Sequence, residues 1–140
     1  MTREFSLAGL LRVRGIQERA AAQRLSRASI EAEQTASRDR QLRAALAVTG
    51  SDAADVRSLA ALAAARVAGR SLLADLDSLG ELRQAALHEA RDEHESARKE
   101  VRGLERLADA HAARALAGEL RAEQLELDEI ATRTRGEKTP

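Results

Sequence analysis

Residues 5–46 read FSLAGLLRVRGIQERAAAQRLSRASIEAEQTASRDRQLRAAL, with no proline among them. Alternating steps of four and three from Leu7 land on Leu7, Leu11, Arg14, Glu18, Ala21, Leu25, Ala28, Ala32, Thr35, Asp39, Leu42 and Leu46. A seven-residue repeat sustained over that length marks a helix that lays one seam against a partner helix. The seam is aliphatic at its ends and small in its centre. Arg14 and Glu18 stand where a simple zipper would carry two more leucines. Polar residues at such positions cost stability and select register and orientation.

The rest of the chain suits a partner for that helix. Among 140 residues there is one Phe, with no Trp, Tyr or Cys, and the single Pro is the last residue. Aromatic side chains supply much of the buried area of a wide globular core. Their scarcity, with Ala, Leu, Arg and Glu dominant, points to long helices instead. The expected fold class is all-α: a long antiparallel two-helix coiled-coil hairpin, with short helices at its tip. It forms a single domain over residues 1–135, with a disordered tail at 133–140.

Charge supports an antiparallel pairing. The totals balance at 23 basic and 23 acidic residues, so no overall field draws in nucleic acid or an anionic membrane. Residues 1–48 nevertheless hold nine Arg against five acids, a net of +4, while residues 89–130 hold seven basic and twelve acidic residues, a net of −5. Oppositely charged arms fit each other within one chain better than like arms fit in a parallel dimer. A monomer is expected, with both chain ends together at one tip.

Segment boundaries follow the glycines. Ser6 reads as the first N-cap, with Phe5 packing back on the first turn. Gly50 reads as a C-cap, and Ser51 or Asp52 as the next N-cap. Gly69 and Gly80 suggest further interruptions, so arm one is placed at about 5–48, a tip of short helices at 50–86, and arm two at 87–132. The second arm's seam is Ala90, His94, Ala97, Val101, Leu104, Ala108, His111, Ala115, Gly118, Ala122, Leu125 and Glu129. Leu116, Leu120, Leu127 and Ile130 form another stripe beside it. That stripe is a partner surface, unless the seam changes register near Gly118 and takes it into the core.

Little in the chain resembles a reaction centre. His88 and Asp92 share a helical face, but His94 points elsewhere and no His-Glu-x-x-His pattern occurs. No cofactor or metal is expected. His111 reads as a packed seam residue. Residues 89–99 read as a solvated face with i,i+4 pairs such as Glu95 with Lys99. Arg12, Arg19, Arg24 and Arg27 have no aromatic residues among them for base stacking, so nucleic-acid binding is set aside. Without a phosphate loop or a concave carboxylate pair, no enzyme is expected. There is no signal-peptide pattern and no run of ~20 apolar residues, which leads to the expectation of a cytoplasmic protein.

Two motifs go further. The opening Phe5-Ser-Leu7-Ala-Gly-Leu10-Leu11-Arg-Val-Arg14, followed by Glu18, resembles the start of the flagellar export protein FliJ family, whose signature is Phe-x-Leu-x-x-Leu-Leu-x-x-Arg-x-x-x-Glu. The closing Leu120-Arg-Ala-Glu123-Gln124-Leu-Glu-Leu-Asp128-Glu129-Ile-Ala131 is similar to that family's other end. The matches cover both arms and leave the middle unmatched. The resemblance implies a non-enzymatic component of the flagellar type III export apparatus, shaped like the stalk of a rotary ATPase. Its implied partners are the hexameric export ATPase FliI, the export gate protein FlhA at the cytoplasmic face of the membrane, and export chaperones. Arg14, Glu18, Leu116, Leu120, Glu123, Gln124, Leu127, Asp128 and Ile130 are the partner-binding candidates. The alternative is a stand-alone scaffolding coiled coil.

Overall fold

A computed structural model describes residues 4–49 and 55–136. It contains two helices, α1 (Ala8–Val48) and α2 (Val56–Gly136), and no strand among the described residues. The chain is an all-α helical hairpin in which the two helices pack against each other. It divides into two units, Met1–Gln17 with Arg98–Pro140, and Glu18–Ala97.

Within each unit the helices run antiparallel, and the pairing can be read from cross-helix contacts. The first unit joins Phe5 to His111 and Arg14 to Glu100. The second joins Arg24 to Glu93, Glu31 to Arg83 and Arg43 to Asp77. All twelve heptad positions expected on α1 are buried or half-buried, with Ala21, Ala32 and Thr35 the most enclosed. Small residues there let the two backbones approach closely, so many short-range contacts replace large knobs.

Three expectations change. First, residues 56–86 do not form short helices: α2 is continuous, and its seam extends back through Leu87, Arg83, Gly80, Leu76, Leu73 and Gly69 to Leu62. Gly69 is buried in that seam, where a Cβ would overlap Leu46 Cδ2. This glycine admits a close neighbour; it does not stop a helix. Second, the ends of the described residues do not meet at one tip. Phe5 lies against His111, and α2 continues for another 25 residues, a rise of ~37 Å, with no α1 residue alongside. Third, Arg133–Gly136 are helical, although a disordered tail was expected from 133. The rest of that tail lies outside the described residues.

The helix ends are satisfied locally. α1 starts at Ala8, after a turn in which the Ala8 N–H donates to the Phe5 carbonyl at 3.0 Å. Gly50, Ser51 and Asp52, expected as caps, lie outside the described residues. Asp55 caps α2: its Oδ1 accepts from the Ser58 N–H at 2.7 Å, satisfying a donor that the first turn leaves unpaired. The Ser58 hydrogen bonds hold the Asp55 carboxyl below its ordinary value. At the end of α1 the Arg66 guanidinium donates to the Thr49 carbonyl at 3.2 Å.

Candidate functional site

The candidates fall into two groups that the fold keeps apart. Arg14 and Glu18 lie on the α1 seam, half-buried. Arg14 Nη1 is 2.8 Å from Glu100 Oε2 and also donates to Gln17 Oε1 at 3.1 Å. Glu18 Oε1 is 3.5 Å from His94 Nε2. Each polar seam residue thus meets a complementary group on α2, as register-setting positions should.

The other group lies on the stretch of α2 beyond His111, hereafter the overhang. Leu116 is 58% exposed, Leu120 57%, Leu127 66% and Ile130 59%. Glu123, Gln124 and Asp128 are exposed as well, and their side chains have no partner among the described residues. From Glu100 to Leu116 is sixteen residues of helix, ~24 Å, so Arg14 does not join this group.

The continuing seam positions Gly118, Ala122, Leu125 and Glu129 are open too, Leu125 at 70%. Neither stripe is core. At 100° per residue, Leu116, Leu120, Leu127 and Ile130 form one row, centred roughly 155° around the helix from the continuing seam. A shift of register at Gly118 would not bring them toward α1. Periodicity identifies both stripes but not how far α1 extends alongside them.

The histidines hold separate positions. His88 Nε2 is 3.5 Å from Asp92 Oδ2 on the outside of α2, while His94 faces Glu18. No group of three or more metal-ligating side chains gathers among the described residues. His111 is half-buried against Phe5, with ring centroids 5.6 Å apart and tilted by 54°. That tilt is one of the favourable arrangements for an aromatic pair. Near Gly80 a shallow groove of about 280 Å³ is lined by Ala32, Thr35, Ala36, Asp39 and Asp77. There Arg43 bridges Asp39 at 2.8 Å and Asp77 at 3.1 Å. The Arg43 hydrogen bond holds the Asp39 carboxyl below its ordinary value of 3.8. Sequence spacing gives the i,i+4 half of this triad and misses Asp77, which only the helix register supplies.

Among known proteins, the family described as Flagellar FliJ protein matches residues 3–139, nearly the whole chain. The chain belongs to that family. The match includes the middle that the two end motifs leave uncovered. FliJ proteins are components of flagellar protein export, and the hairpin of long helices is the form in which this FliJ-family chain presents its surface. No curated protein and no solved structure matches the chain. No helix among the described residues is long and apolar enough to cross a membrane.

Proposed function

We propose that this chain is a non-catalytic, stalk-like component of the flagellar type III export apparatus that works in the cytoplasm, at the face of the export gate. Its overhang engages the hexameric export ATPase FliI, and the rest of the hairpin connects that ATPase to the gate protein FlhA and to export chaperones. On its own it is a monomer. The overhang carries this reading. A single helix with a row of wet aliphatic side chains forgoes about 1.5–3 kcal/mol for each one that a partner could bury. A slender helix also suits insertion into the opening of a ring better than the thicker paired region does.

Substituting Leu120 and Leu127 by Ser tests the reading. Stimulation of the purified export ATPase should fall severalfold, with helicity and melting temperature almost unchanged, because neither side chain packs on α1. Full stimulation by the L120S/L127S variant would remove the overhang from the interface. A tight dimer in solution would favour the scaffolding alternative.

A further inference from the structure

The exposed aliphatic row is bordered on one side only by charge. On the helix circumference Glu119 and Glu126 follow one edge of the row formed by Leu116, Leu120, Leu127 and Ile130, and Glu123 stands just inside that same edge, between Ile130 and Leu116. The opposite edge carries Ala113, Gln124 and Ala131. The three glutamates are exposed and have no ion-pair partner among the described residues. Arg133 is held by Glu129 at 2.6 Å, and Arg121 lies away from the row. Residues 119–130 hold five acids against a single Arg.

We infer that this face docks a protein surface carrying an apolar track with Lys or Arg along one side. The inference rests on the reading of the overhang as a partner-binding element and adds the chemistry of what it binds. Like charges set against the glutamate edge would be repelled, and opposite charges would fix both the direction and the rotation of the helix in its seat. An anionic lipid surface is disfavoured by the same edge. The one-sided border makes the face directional, so a partner reads which way the overhang is turned as well as how far it enters.

The test uses the full chain and two designed helical peptides, each with a leucine row, one bordered by lysines and the other by glutamates. The lysine peptide should bind at least about tenfold more tightly, should weaken as salt is raised, and should shift the methyl signals of Leu116, Leu120, Leu127 and Ile130. E119K/E123K/E126K should reverse the preference, and E119Q/E123Q/E126Q should abolish it, each with unchanged helicity. Equal binding of the two peptides, no binding, or shifts confined to Leu125 would overturn the inference. So would sedimentation showing that the chain covers this face with a second copy, lost in the lysine variant. Binding to the purified export ATPase is measured separately. A chain that prefers the lysine peptide but does not bind the ATPase supports the charge inference and removes the ATPase as its partner.

Discussion

Leu46 occupies the space in which a side chain on Gly69 would stand: a Cβ there would overlap its Cδ2 and lie 3.2 Å from its Cγ. A Cβ built on Gly80, by contrast, meets nothing within 4 Å. Two glycines in one helix seam therefore respond differently to the same change. Gly80→Ala should stabilise the chain by about 0.5–1 kcal/mol, the ordinary helical gain over glycine. Gly69→Ala must displace Leu46, so its gain should be smaller or become a loss. Melting curves of the two variants check this, and equal gains would remove the close approach at Gly69.

The polar seam pairs should contribute orientation more than stability. Arg14 and Glu100 are both well solvated, which limits an ion pair to about 0–1 kcal/mol. Replacing Arg14 and Glu18 together by Leu should raise the melting temperature and weaken the preference for the intramolecular antiparallel pairing. Thermal melts combined with solution mass are the readout, and a clear fall in melting temperature would refute it.

Acid should loosen the Asp39–Arg43–Asp77 triad. The Asp39 carboxyl is held below 3.8, first by the Arg43 hydrogen bond. A depressed carboxyl contributes stability that is present above 3.8 and lost as pH falls through its folded-state value. Arg43→Ala should move the Asp39 titration up toward 3.8, followed by carboxyl NMR, and flatten the acid limb of stability. An unmoved titration would show that Arg43 is not the cause.

The overhang should also be the least protected long helix in the chain. Isolated helices are marginal in water, and most helical stability in proteins comes from packing. Amide hydrogens of residues 116–134 should exchange orders of magnitude faster than those of residues 94–108, where α1 lies alongside. Comparable protection would mean that something covers the overhang.

How much of this is legible in sequence depends on what each residue type can signal. From Leu7 to Leu46 every position the repeat names is buried or half-buried, because burial on a two-helix seam is a local periodic property. From Ala90 to Ala115 it does the same for α2. Gly69 and Gly80 mislead because glycine serves both where a helix stops and where a neighbour comes close. The composition at residues 50–86 cannot separate the two. Gly118, Ala122, Leu125 and Glu129 fail as seam residues for another reason: the repeat continues unbroken past the point where its partner ends. Leu116, Leu120, Leu127 and Ile130 stand out as a stripe, but their exposure depends on α1 beginning at Ala8, opposite a part of α2 that precedes His111 and stops short of the stripe.

That mismatch of lengths is best tested by a distance between spin labels on Cys residues replacing Arg12 and Glu126. With Phe5 opposite His111 and Arg14 opposite Glu100, Arg12 faces the neighbourhood of Gly103. Glu126 is 23 residues farther along α2, so the labels should lie roughly 35 Å apart. A control pair at Arg12 and Arg102 should give about 10 Å, the spacing of packed helices. A separation under about 20 Å for the first pair would mean that the chain ends fold together, with no overhang left for a partner to grip.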